Sequence, residues 1–144
     1  MSSGIKKKKK PFVPLDFGPL PVDIINDLLG LEIEEGEVRM SINAQKHAAR
    51  RHPDDYSRCM PHVASILERP LYIGDDFRNP GAIELIGRVS ALGGPMLVAV
   101  EVEKDGDGYY NVRSFYPIGD GKIQARREKK HLKIVPPQRR TPDP

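Results

Sequence analysis

Residues 104–108 read KDGDG, and this short link joins two apolar segments, Leu97–Glu103 and Tyr109–Ile118. Aspartate and glycine tolerate positive φ, so such a link reverses the chain tightly. Two strands joined this closely have to be antiparallel neighbours. A third segment of the same kind, Ile83–Val89, precedes them, and a shorter one, Leu71–Ile73, follows Pro70. The second half of the chain therefore predicts an antiparallel sheet. Leu132–Val135 is a candidate for its closing edge, and the charged stretch Lys122–Lys130 reads either as a strand continuation or as one helical turn.

The first half follows helical grammar instead. Val22–Leu29 is a short helix ended by Gly30. Leu31–Ile42 reads as a hairpin turning near Glu35–Gly36, with Ile33, Val38 and Met40 as its apolar positions. Ser41 and Asn43 offer capping chemistry for a helix over about Asn43–Arg51. Pro53 stops that helix and opens another, running from Asp54 or Asp55 to Leu67 with Val63, Ile66 and Leu67 facing inward. Helices followed by strands predict an α+β fold. The expected architecture is N-terminal helices packed on a roughly four-stranded antiparallel sheet.

Residues 1–21, rich in lysine and with Pro11, Pro14, Pro19 and Pro21, read as a flexible or extended leader, residues 22–135 as the domain, and 136–144 as a tail. At 144 residues the chain has room for a single core. With no tryptophan, aliphatic residues must fill it. The lone cysteine, Cys59, excludes an internal disulfide, and its place in an expected helix suits a small hydrophobe. No apolar h-region follows the lysines, and no apolar run approaches the roughly 20 residues of a membrane helix. A soluble, cytoplasmic protein is expected, acting in the cell that makes it or in a target cell.

The net charge is +3. Part of the excess lies in Lys6–Lys10, a run that reads as a solvated tail or as a nucleic-acid arm. The cations inside the folded segment are more informative. KHAARRHPDD, residues 46–55, sets His47 and Arg51 four apart on one helix face, and puts His52 just before Pro53, where the chain leaves helical geometry. Two imidazoles and a guanidinium suit phosphodiester chemistry. One histidine can take a proton from a ribose 2′-hydroxyl, a second group can protonate the leaving oxygen, and arginine can neutralise charge growing on phosphorus. The plainer alternative is a helix end whose cations favour its negative dipole end. Lys46 and Arg50 are candidate substrate-binding cations beside this group.

The strand YYNVRSFYPI supplies the second candidate group. Alternation puts Tyr110, Val112, Ser114, Tyr116 and Ile118 on one face, and Tyr109, Asn111, Arg113, Phe115 and Pro117 on the other. Ser114 and Tyr116 make a pair of hydroxyl donors able to hold a phosphate oxygen. A half-buried strand whose serine bonds locally is the alternative, and Arg113 is the candidate if the faces are reversed. Metal binding is not expected: Cys59, His62 and the upstream histidines match no zinc spacing, and DGDG lacks the later ligands of a calcium loop. No cofactor is expected. The phosphate-cradling glycine motif of the nucleotide triphosphatases is absent, as are the glycines of a serine nucleophile elbow.

The order VRMSINAQKHAARRHPDD, ILERPLYIGDD, IELIGRV, MLVAVEVEKDG, YYNVRSFYPI, KKHLKIV resembles the phage-associated nuclease domains of the barnase–EndoU–colicin–RelE superfamily, over about residues 38–135. The resemblance implies metal-independent ribonuclease activity and a toxin role. Its partners would be RNA, transfer RNA included, and an immunity or antitoxin protein. Position by position, His47 and His52 match the helix-borne histidines, and Ser114 and Tyr116 the late-strand hydroxyls. Arg51 as a catalytic cation and Arg88 as a substrate contact rest on charge and expected position instead. The competing readings are a non-catalytic nucleic-acid-binding or phage structural accessory module, and a partner-binding protein that recruits another chain through an exposed sheet edge.

Overall fold

The computed structural model describes residues 12–75 and 80–137. Along the chain lie β1 (Leu15–Pro19), α1 (Val22–Leu29), β2 (Glu37–Met40), α2 (Ile42–Arg51), α3 (Pro53–Cys59) and α4 (Val63–Glu68). They are followed by β3 (Tyr72–Asp75), β4 (Ala82–Val89), β5 (Gly94–Glu101), β6 (Tyr110–Pro117), α5 (Asp120–Glu128) and β7 (Leu132–Ile134). The fold is α+β, as expected, but its sheet is wider and mixed. Seven strands run in the order β1-β2-β6-β5-β4-β3-β7.

The antiparallel block β6-β5-β4-β3 corresponds to the strands read from the second half of the sequence, and β7 adds the expected edge. The KDGDG turn is held from several sides. Asp105 accepts from the Asn111 side chain at 2.8 Å, from the Tyr109 backbone at 3.0 Å and from the Asp107 backbone at 2.9 Å. Arg39 bonds both Asp105 and Asp107, and its guanidinium lies over the Tyr109 ring at 4.3 Å. These donors hold the Asp105 carboxyl at a pKa of about 2, with the Asn111 hydrogen bond the largest cause.

Four expectations for the rest of the fold need correction. Part of the leader is a strand: β1 pairs antiparallel with β2 and widens the sheet. Prolines are tolerated there because β1 is an edge strand, and Gly18 at φ +90 carries its bulge. Residues 1–11 of the leader and 138–144 of the tail lie outside the described residues.

Leu31–Ile42 does not form a hairpin. The Asn26 side chain clamps the backbone of Ile33, donating to its carbonyl at 3.0 Å and accepting from its N–H at 3.0 Å. A hairpin ladder would need those two groups. β2 is consequently short, and it pairs in parallel with β6 at Val38–Tyr110 and Arg39–Asn111. That pairing makes the sheet mixed.

The helix expected from Asp54 to Leu67 is broken. Pro61 has no N–H to donate, and Met60–His62 forms a 3-10 turn between α3 and α4. Finally, not every helix is N-terminal, because Lys122–Lys130 falls largely in α5, between β6 and β7.

The sheet is covered on both faces. Cys59, Val63, Ile66 and Leu67 of the α3–α4 region join Val38, Met40, Ile73, Leu85, Val98, Tyr110, Val112 and Phe115 in the main core. α4 packs so closely on β4 that a Cβ at Gly87 would lie 2.8 Å from the Ile66 Cδ1. On the opposite face Ile123 of α5 meets Ile86, Leu97, Ala99, Ile118 and Leu132. Burial raises the Cys59 thiol pKa, in keeping with a packing role. No described helix is long and apolar enough to cross a membrane.

Candidate active site

Ser41 starts α2 by accepting from the Ala44 N–H at 3.2 Å, a cap worth about 1 kcal/mol. His52, at φ −142 and ψ 71, ends α2 and precedes α3, with Pro53 at the first position of the new helix. The non-helical backbone forced before a proline thus becomes a corner. His47, Arg51 and His52 are exposed around it.

Two interactions brace the corner from behind. Gln45, only 2% exposed, donates to the carbonyls of Val13 at 2.6 Å and Met40 at 3.1 Å and accepts from the Tyr56 hydroxyl at 3.1 Å. Tyr56 then stacks on Phe115 of β6, with ring centroids 5.7 Å apart and planes 28° from parallel. Burial raises the pKa of the Tyr56 phenol, so it remains a donor near neutrality. Helix and strand are fixed to each other through this contact.

β6 reaches the corner after a bulge. Val112 lies opposite Val100 and Ser114 opposite Ala99, which leaves Arg113 as the extra residue. The bulge overturns the expected alternation. Tyr110 and Val112 face the main core together with Phe115, whereas Tyr116 and Ile118 pack against the α5 side. Ser114 therefore does not share a face with Val112. The Arg113 Nε bonds Glu101 at 3.3 Å. β2 pairs with β6 only as far as Asn111, so the flank of β6 beyond it is covered by α2 and α3 rather than by another strand.

Here lies a cavity of about 450 Å³. From the α2–α3 corner come His47, Arg51, His52, Asp55 and Tyr56, from β6 Arg113, Ser114, Phe115, Tyr116 and Pro117, and from α5 Lys122. All five residues expected to be catalytic (His47, Arg51, His52, Ser114 and Tyr116) line it, as does Arg113. Both faces of β6 contribute because the cavity opens at its unpaired flank. Three guanidinium or ammonium groups against one carboxylate make the lining cationic.

The other expected contacts lie elsewhere. Lys46 and Arg50 are exposed on α2 but do not line the cavity. Arg88 bonds Asp120 at 2.7 Å, tying the start of α5 to β4. Asp55 and Lys122 line the cavity without having been singled out. IGDGK, a turn followed by a lysine directly after the late strand, was the available signal for Lys122. Among the described residues no group of three or more His, Cys, Asp or Glu side chains converges as a metal site.

A cationic, histidine-lined groove at the flank of an α+β sheet is the equipment of a protein that handles phosphodiesters. The chain matches the model of the phage-Barnase-EndoU-ColicinE5/D-RelE like nuclease3 family over residues 18–125, and it belongs to that family. It is, at that level, a nuclease domain. No curated protein and no solved structure matches it.

Proposed function

We propose that this nuclease domain cleaves RNA, and that it does so without a metal ion. One of His47 and His52 takes the proton from a ribose 2′-hydroxyl, whose oxygen attacks the adjacent phosphorus. The P–O5′ bond breaks, and the other histidine protonates the departing 5′-oxygen. Arg51 neutralises charge on the phosphorane, while Ser114 and Tyr116 orient the phosphate. The products are a 2′,3′-cyclic phosphate and a 5′-hydroxyl. RNA is the substrate because the route uses the 2′-hydroxyl as its nucleophile.

The observation that supports this reading most strongly is the cavity itself, where two imidazoles and Arg51 from one corner lie across from two hydroxyls of β6. Acid, base and charge stabilisation are then all available from side chains. The test is cleavage of RNA in excess chelator by the wild type, His47→Ala, His52→Ala and Ser114→Ala. Chelator-resistant cutting by the wild type, lost in the histidine variants while RNA binding persists, is expected. RNA binding without cutting by the wild type would overturn the proposal in favour of a non-catalytic binding module.

A further inference from the structure

α5 begins at the cavity and leads away from it. Lys122 lines the cavity, and Lys129 follows seven residues later, on the same helical face and about 10 Å further along the axis. Lys130 comes next. All three lysines are exposed, and among the described residues none enters an ion pair. The helix's own acids are engaged elsewhere, Asp120 with Arg88 at 2.7 Å and Glu128 with Gln124 at 3.4 Å. Arg126, between the lysines on that face, is occupied by the buried Glu84 at 3.2 Å.

Lys130 is also an unexpected residue for its backbone. It has φ +61, the only positive φ among the described non-glycine residues. Its N–H bonds the Arg127 carbonyl at 2.9 Å while the His131 N–H bonds the Arg126 carbonyl at 2.8 Å. This is the Schellman ending of a helix, whose left-handed position normally carries glycine. A lysine there sacrifices stability and puts a charge at the end of the helix. The cation sits favourably at the negative end of the helix dipole, and the left-handed position holds it at the exposed end of α5.

We propose that Lys122, Lys129 and Lys130 form a track for the phosphate backbone of an RNA strand, leading it to or from the cavity. The inference rests on the RNase reading for the identity of the polyanion. Phosphates are favoured over an acidic protein because the three lysines offer charge along the helix, while the large apolar side chain exposed on that side of the sheet, Ile134, stands singly and not as the apolar cluster a protein interface places at its centre.

The test measures binding of an about 20-nucleotide 2′-O-methyl RNA, which 2′-hydroxyl attack cannot cut, as a function of salt. In the full chain, replacing Lys129 and Lys130 together by Ala should make the slope of log K against log salt shallower by about 1.4, or about 0.7 per lost contact on a single strand. Lys130→Gly should raise Tm by relieving the left-handed strain, yet flatten the slope by about 0.7. Lys133→Ala is the control. Lys133 pairs with Ile73 of the main core, so it points to the sheet face opposite α5, and its loss should leave the slope unchanged.

Equal flattening by Lys133→Ala would reduce the effect to net charge and overturn the track. So would a Lys130→Gly variant that gains stability with an unchanged slope, or RNA binding by the wild type with no salt dependence. If the variants behave as expected but the wild type never cuts RNA, the catalytic reading fails and the track stands. If RNA is cut but the slopes do not separate, the reverse holds.

Discussion

The Tyr56 hydroxyl donates to Gln45 Oε1 at 3.1 Å, and this bond joins the helix that carries His47 to the helix that follows His52. Through Tyr56 the pair also reaches Phe115 of β6. The corner is therefore held by buried polar contacts rather than by the exposed histidines themselves.

Removing that hydroxyl should be costly for its size. Tyr56→Phe leaves the ring on Phe115 but strips a partner from the buried Gln45 oxygen, and should destabilise the domain by about 1–3 kcal/mol. Gln45→Leu should cost at least as much, because the Val13 and Met40 carbonyls lose their donor as well. Urea unfolding of each variant checks both. A Tyr56→Phe midpoint equal to the wild type's would show that the bond does not brace the corner.

Acid stability should depend on the KDGDG turn. The Asp105 pKa is depressed to about 2, so its folded-state pKa lies below the unfolded value of about 3.9. A depressed carboxylate contributes stability above the unfolded pKa and loses it as pH falls through the folded one. The wild type should thus lose stability between about pH 4 and pH 2, and Asp105→Asn should lose less over that window. Thermal unfolding at stepped pH measures the difference.

The edge of the sheet depends on a missing side chain. A Cβ at Gly74 would run into the backbone carbonyl of His131, which precedes β7. Backbone cannot swing aside as a side-chain tip can, so Gly74→Ala should cost about 1–3 kcal/mol and loosen β7 from β3. Hydrogen exchange at Leu132–Ile134 would report it as lost protection.

The site was legible in the sequence to the extent that its signals are local. Ser41, the four-residue spacing of His47 and Arg51, and Pro53 define a helix and a corner within a dozen residues, and the structure has both. Ser114 and Tyr116 were legible as strand residues but not their facing, because alternation assumes a regular ladder and Arg113 is a bulge against β5. The parallel pairing of β2 with β6 was hidden for a related reason. It brings together residues 72 apart in sequence, Val38 and Tyr110, and no local pattern announces it. The hairpin expectation failed on one asparagine, whose side chain at position 26 takes the backbone groups of Ile33. Charge on a strand is all the sequence offers for Arg88, and its actual partner, Asp120, comes within reach because the chain after β6 turns into a helix.

The proposed cleavage by attack of a neighbouring 2′-hydroxyl makes one ribose on the RNA decisive. The most direct measurement takes an RNA cut at one mapped position and replaces the ribose 5′ of that bond by deoxyribose, leaving every other nucleotide unchanged. Cleavage at that bond should vanish while affinity is retained. Cleavage persisting at the deoxy position would contradict the claim, because the nucleophile would then have to come from somewhere else.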